Sequence, residues 1–477
     1  MRKLLFLIFF LISIKTNSQT TRFEIFLTDT VMTNASVSFL VADADIGNVL
    51  FSYNPKLSLI PASTMKLVTS SAALELLGPA YTFRTSVGYT GTVNRSGRLY
   101  GNIVIKGGGD PTLGSEYFSE YYNDFVSGWV DDLKKYGIRK VRGKVITDDS
   151  YYDYEPVAPR WLWEDIGVYY GAGVYGLSVF DNSCKIRVKS SGGSSGVEIL
   201  DITPDLHGYK FTNRLISSGS EENWYVYSAP YSTQGWLSGT VPSSEKEIIL
   251  DASIPDPPLL LAEILNEKLD QAGIRITGKP ATSRLEPAKL PENITILSET
   301  ISPLLTFIID ILNKESVNLY AEHLVKELGK QIKGRGTTAA GLNVIREFLD
   351  KAGVDTTGLF IEDGSGLSSR NGLNAEGLVK LLIYLRARGR YFPEFYSSLP
   401  EAGYSGTLSQ YFTDEVFVSN LKAKSGSMTR VRCYAGYMTS RSGKNLVFTI
   451  MVNNFQGTSR YIITHIEDIL KEIIFEN

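Results

Sequence analysis

Cysteine and histidine are nearly absent from this 477-residue chain: it has only Cys184 and Cys433, and His207, His323 and His465. Three histidines without an H-E-x-x-H leave a histidine-based zinc site little to build on. None of them lies near a nucleophile-elbow sequence, so a Ser-His-Asp triad is equally poorly supported. Two cysteines make no disulfide framework. One sits in mid-chain and the other in a strand near the C-terminus, so two unpaired, buried thiols are the favoured reading, with pairing after export as the alternative. A basic excess is also missing, with 48 Lys and Arg against 51 Asp and Glu. Nothing here supports nucleic-acid binding, which needs a basic face.

Long apolar runs are confined to the N-terminus. Arg2 and Lys3 precede Leu4 to Ile14, and Thr16 and Ser18 supply small residues before Gln19. Residues 1–18 therefore read as a secretory signal peptide with an apolar run short for a bilayer, an uncleaved anchor being the alternative. The mature chain is expected in the periplasm without stable membrane insertion. Removing Arg2, Lys3 and Lys15 leaves 45 basic and 51 acidic residues, a net charge of −6. A chain of this length exceeds what one core organises, so two or three domains are expected.

Val37, Phe39 and Val41 alternate, Asp45 to Asn48 turns, and Val49 to Phe51 returns: a hairpin. A helix is predicted from Ser63 to Leu77, before Gly78-Pro79. From about Phe83 to Leu290, short strand-like runs alternate with Gly, Ser, Asp and Tyr clusters, which reads as a β-rich insertion. The expected division is 19–82 with 291–477, an inserted domain at 83–180 with 241–290, and a nested one at 181–240. Helical spacing returns at Leu259–Ala272, Leu304–Asn313, Leu319–Leu328 and Ala339–Ala352. Two strands follow, Val431–Met438 and Leu446–Val452. The tail from Ser459 carries Ile462, Ile466, Ile469, Leu470 and Ile473 on one face. Its polar face is acidic, which disfavours anionic lipid and favours core packing. Helices with a late-returning antiparallel sheet define an α+β layered domain.

Three strings carry the chemistry. In Ser63-Thr64-Met65-Lys66, residues three apart share a helix face, so the amine can sit beside the hydroxyl and take its proton. The hydroxyl falls at a helix N-terminus, which favours developing negative charge. Ser316-Val317-Asn318 supplies a second polar pair, although Ser316 also fits a helix N-cap. Lys424-Ser425-Gly426 places a cation, a hydroxyl and a glycine on a strand, as a carboxylate-binding edge needs. Gly426 lets a substrate backbone lie alongside. S-x-x-K, S-x-N and K-[ST]-G in this order form the acyl-transfer signature of penicillin-binding proteins and class A β-lactamases. Gly171 to Gly176 matches G-x-G-x-x-G without a strand-then-helix frame, and Gly107-Gly108-Gly109-Asp110 lacks the Lys-Ser/Thr of a phosphate loop.

With these strings, the chain resembles the D-alanyl-D-alanine carboxypeptidase/endopeptidase family of low-molecular-mass penicillin-binding proteins of the large-insertion type (class C, peptidase S13). The resemblance also rests on Gly107–Leu113, Asp363–Ser368, Gly406-Thr407-Leu408 and Ala435-Gly436-Tyr437. It implies a penicillin-binding/β-lactamase-like fold and a serine DD-peptidase acting on peptidoglycan stem peptides, acylated by β-lactam antibiotics and needing no cofactor or metal. Ser63 would be the nucleophile and Lys66 the base. Ser316 would relay a proton to the leaving amine, Asn318 would hold the substrate amide, and Lys424 with Ser425 its carboxylate.

The resemblance further implies an oxyanion hole from the N–H groups of Ser63 and Ser427. It also implies an inserted domain that reads the stem-peptide side chain, with Asp148 facing a cationic amine and Met428 lining the apolar stem. For Asp148 the alternative is a solvated turn with Asp149. A β-lactamase or esterase would need a deacylating carboxylate near Ser63, which the sequence does not place. A peptidoglycan-binding protein with a dead site conflicts with the intact Ser63, Lys66, Ser316, Asn318 and Lys424.

Overall fold

The computed structural model describes residues 21–190, 196–220, 222–243, 246–287, 290–291 and 293–477. The signal-peptide reading of 1–18 lies outside the described residues. Among those described, no helix is long and apolar enough to cross a membrane.

An antiparallel five-stranded sheet organises the catalytic layer, in the order Leu421–Met428, Val431–Thr439, Asn445–Asn453, Ser36–Asp43, Val49–Tyr53. Helices cover both faces, so its inner strands are buried along nearly their whole length. On one face Val37, Phe39, Val41, Phe448 and Ile450 pack with Phe23, Phe26 and the tail helix Ser459–Glu476. The tail's Ile462, Ile466, Ile469, Leu470 and Ile473 all enter that core, so the amphipathic stripe packs onto protein. On the other face Leu40, Ala42, Cys433, Ala435 and Met451 meet the helices Met65–Leu77, Leu305–Lys314, Asn318–Lys333 and Ala375–Arg388. Burial on two faces is why the alternation in the sequence is only partial.

The insertion holds a mixed five-stranded sheet, Ala281–Thr282, Val145–Asp148, Ile103–Lys106, Arg84–Tyr89, Thr295–Ile301, covered by the helices Phe125–Lys135 and Pro257–Gln271. Two three-stranded sheets form a further body within it. The predicted boundaries and the sheets differ in two places. Thr295–Ile301 pairs with Arg84–Tyr89, so the insertion's sheet extends past 290. Glu247–Ser253 pairs with Ser183–Ser190, so the nested sheets extend past 240. In both, the strand that closes a sheet lies far along the chain from its partner, and no local signal marks the pairing.

Cys184 and Cys433 are buried and free, in strands of different sheets. The Gly171–Gly176 stretch is the end of a short turn and a loop, not the start of a helix.

Candidate active site

Ser63 lies in a single 3₁₀ turn, Ala62–Thr64, directly ahead of Met65–Leu77. Ala62 takes a left-handed conformation, φ 45°. For a residue with a β-carbon this is strained backbone, held here by the surrounding packing. The turn packs against the edge strand Leu421–Met428 at Gly426. A Cβ there would stand 2.4 Å from the Pro61 carbonyl and 3.2 Å from the Ser63 nitrogen. The close approach at Gly426 is thus made by the turn that carries Ser63.

Lys66 is fully buried, and its ammonium donates to Ser63 Oγ at 2.9 Å, Asn318 Oδ1 at 2.6 Å and the Ser365 carbonyl at 2.9 Å. Burial drives its pKa from the ordinary 10.5 to about 7, although the Asp363 and then the Glu322 carboxylate pull it up. Near neutral pH a sizeable fraction is therefore the free amine, able to accept a proton. The second lysine, Lys424, is also fully buried and donates to Ser316 Oγ and the Ser425 carbonyl, both at 3.0 Å. Burial, then the Lys66 cation, push it well below its usual range. A carboxylate arriving beside it would favour the charged form.

Ser316 has φ 60°, and the helix Asn318–Lys333 begins with Val317 at its N-cap and no side-chain cap. Ser316 is therefore not the cap; its left-handed backbone aims the hydroxyl at Lys424. Asn318 is held at both ends of its amide, Oδ1 by Lys66 and Nδ2 by the Tyr170 carbonyl at 2.8 Å. Tyr170 belongs to the insertion, which thereby reaches the centre of the site.

On the edge strand, Ala423 N–H donates to Pro400 and Leu421 C=O accepts from Ala402, both on the outer side. Strand alternation then puts the N–H and C=O of Ser425 and Ser427 on that same outer side, past the end of this pairing. Ser427 N–H thus faces the edge next to the Ser63 turn. Ser425 Oγ donates to Thr407 Oγ1 at 2.8 Å, so two hydroxyls stand together there.

Met428 ends the strand, partly buried against the core beneath the site. Asp148 ends the strand Val145–Asp148 of the insertion. Its Oδ1 accepts from Ser150 N–H at 3.2 Å and Ser150 Oγ at 2.6 Å, closing a local turn, and no hydrogen bond or ion pair joins it to the motif residues. An aspartate two residues ahead of a serine satisfies its carboxylate locally.

Behind Lys66 lies machinery that sequence reasoning missed. Glu322 Oε1 accepts the N–H groups of Gly364 at 3.0 Å and Ser365 at 2.7 Å. Asp363 accepts from Gly366, Ser368, Asn371 and Trp161 Nε1. These two buried acids fix the loop whose Ser365 carbonyl holds Lys66. Asp363-Gly-Ser-Gly-Leu-Ser was visible as a string without an assigned role. Farther along the same helix, Glu327 takes hydrogen bonds from Tyr81, Tyr151 and Tyr152, and Lys326 pairs with Asp153 at 2.5 Å. His323 donates through Nδ1 to Gly109, and burial lowers its pKa to about 3, which keeps the ring neutral. These contacts bind the insertion to the helix that carries Asn318.

Glu322→Gln keeps an oxygen for both N–H groups and removes a carboxyl that burial raises to about 7 and whose ionised form favours the Lys66 ammonium. The Lys66 pKa then falls, so the acid limb of the acylation pH profile, expected near pH 7, moves down by about 0.5–1 unit. Stopped-flow acylation between pH 5 and 9 measures it. An unmoved limb would mean that some other group limits the rate.

Serine, buried lysine, S-x-N and K-S-G meeting at one sheet edge, under an α+β layer, define an active-site-serine protein of the penicillin-binding class. The chain belongs to the D-Ala-D-Ala carboxypeptidase 3 (S13) family, whose model matches residues 19–472. It is similar to a D-alanyl-D-alanine carboxypeptidase of Actinomadura sp. (strain R39), at 30% identity over 90% of this chain and 80% of the relative. Identity to the carboxypeptidase DacB of Haemophilus influenzae is 24%, over 90% and 88% of the two chains. The fold matches the crystal structure of penicillin-binding protein 4 (DacB) from Haemophilus influenzae, with a TM-score of 0.80 at 22% identity over 92% and 96% of the chains. The same protein complexed with a β-lactam matches with a TM-score of 0.77, at 20% identity over 93% and 97%.

Proposed function

We propose that this protein is an exported serine DD-peptidase that cleaves the terminal D-Ala-D-Ala bond of peptidoglycan stem peptides through an acyl-enzyme on Ser63, and that β-lactams acylate the same oxygen. The observation that carries this reading is the 2.9 Å contact between Ser63 Oγ and a buried Lys66 amine whose pKa lies about 7.

Ser63 Oγ attacks the carbonyl between the two D-alanines while Lys66 Nζ takes its proton. The N–H groups of Ser63 and Ser427 receive the developing oxyanion. Ser316, held by its hydrogen bond from Lys424, relays to the leaving amine the proton that Lys66 took from Ser63, and free D-alanine departs with Lys66 a free amine once more. Asn318 holds the peptide amide. Lys424, Ser425 and its neighbour Thr407 receive the terminal carboxylate. Water then releases the shortened peptide, with Lys66 again as base. Met428, beside Ser427, meets the stem-peptide side chain in this reading. Export to the periplasm rests on the N-terminal sequence.

Lys424→Ala tests the carboxylate assignment. Its kcat/KM on a diacyl-Lys-D-Ala-D-Ala peptide should fall about tenfold or more beyond its loss on the same peptide as a C-terminal amide, because charge-assisted bonds are lost only with the free acid. Equal losses would make Lys424 a general electrostatic or structural residue.

A further inference from the structure

The nested sheets leave a row of aromatic rings that peptide cleavage does not use. In the sheet Lys210–Ser217, Gln234–Val241, Asn223–Tyr227, Leu215, Leu237 and Val226 face inward and are buried. The opposite face therefore carries the alternate residues. Register puts Thr212, Trp236 and Tyr227 on one rung and Arg214, Ser238 and Tyr225 on the next. Trp163, half exposed at 50%, extends the row from the neighbouring short helix Trp163–Ile166.

Three of the ring pairs run nearly parallel, while Trp163 and Trp236, 6.2 Å apart, tilt at 45°. Tyr225 and Tyr227 lie 6.0 Å apart at 26°, Tyr227 and Trp236 5.3 Å apart at 24°, and Trp163 and Tyr227 6.3 Å apart at 22°. These separations exceed the roughly 3.5–4.0 Å of direct face contact, so the rings are offset and part of each face is uncovered. The backbone that packs on this sheet leads to Asn318. Gly167 packs so tightly on the Tyr225–Tyr227 strand that a Cβ would stand 1.7 Å from the Val226 carbonyl. Three residues on, Tyr170 gives its carbonyl to Asn318.

We infer that this ring row is a sugar-binding platform that seats the glycan strand of peptidoglycan beside the site that cuts its stem peptides. The inference rests on the function proposed above. A pyranose ring presents C–H groups on its faces and hydroxyl or acetamido groups at its rim. Near-parallel aromatic faces match the first, and Thr212, Arg214 and Ser238 offer hydrogen-bonding partners to the second. The substrate is a peptide hung from a glycan, and the platform sits on the segment that steadies Asn318, so one polymer can occupy both.

The test uses the full mature chain and its Trp163→Ala and Trp236→Ala variants. The probe is glycan strands freed of stem peptides, followed by tryptophan fluorescence and calorimetry. Wild-type protein should bind them, and each variant should weaken binding about tenfold. Penicillin acylation and kcat/KM on a free pentapeptide should stay within twofold, while D-alanine release from intact sacculi should fall severalfold. Absent wild-type binding, or binding by both variants as tight as the wild type's, would overturn the platform even if free peptide is cleaved normally. Variant-sensitive glycan binding without D-alanine release from any peptide would keep the platform and overturn the peptidase reading. If a variant loses penicillin acylation as well, Tyr225→Ala replaces it and the same glycan-binding criterion applies.

Discussion

Ser63→Ala should take up no fluorescent penicillin and should release D-alanine at least about 1,000-fold more slowly than the native protein. The hydroxyl is the only group removed, and without a nucleophile neither reaction can form its covalent intermediate. The fold should persist. Lys66 keeps Asn318 Oδ1 and the Ser365 carbonyl as acceptors, so no buried ammonium is left unpaired. Thermal unfolding should therefore shift by only a few degrees. Labelling retained on another serine would overturn the assignment.

Lys66→Met should slow penicillin acylation by about 100- to 10,000-fold, the usual contribution of a positioned base. The rise in rate through pH about 7 should vanish with it, because the amine that titrates there is gone. Methionine matches the length of lysine and leaves two acceptors without a donor, Asn318 Oδ1 and Ser365 O. Each costs about 1–3 kcal/mol. Removing a buried cation offsets part of that cost, so unfolding in denaturant should show a modest change. Acylation within tenfold of native, with the pH dependence intact, would mean that another group takes the proton.

The local half of the site was legible in the sequence. Ser63 and Lys66 are three residues apart, and helical geometry alone predicts their contact. Ser316, Asn318 and Lys424 were legible as strings, but their partners were not. Lys66 meets Asn318 across 252 residues, and Lys424 meets Ser316 across 108. Only the folded sheet and helices make those approaches. The left-handed backbones of Ala62 and Ser316 carry no glycine to announce them.

The helix Asn318–Lys333 is the clearest case of a signal inverted by tertiary structure. Glu322, His323, Lys326 and Glu327 are polar yet all buried: the insertion supplies a donor or acceptor to His323, Lys326 and Glu327, and the Gly364-Ser365 loop supplies N–H donors to Glu322. The hairpin at Ser36–Tyr53, the helix before Gly78 and the tail stripe followed from periodicity. The strands Glu247–Ser253 and Thr295–Ile301 did not, since each closes a sheet begun long before it.

The most direct test of the acyl-enzyme on Ser63 is tandem mass spectrometry of the native protein, quenched in acid after a brief exposure to excess penicillin. The expected result is one added mass equal to the whole antibiotic, carried by the peptide that contains Ser63 and by no other. An adduct on a different residue, or no adduct while D-alanine release continues, would contradict it.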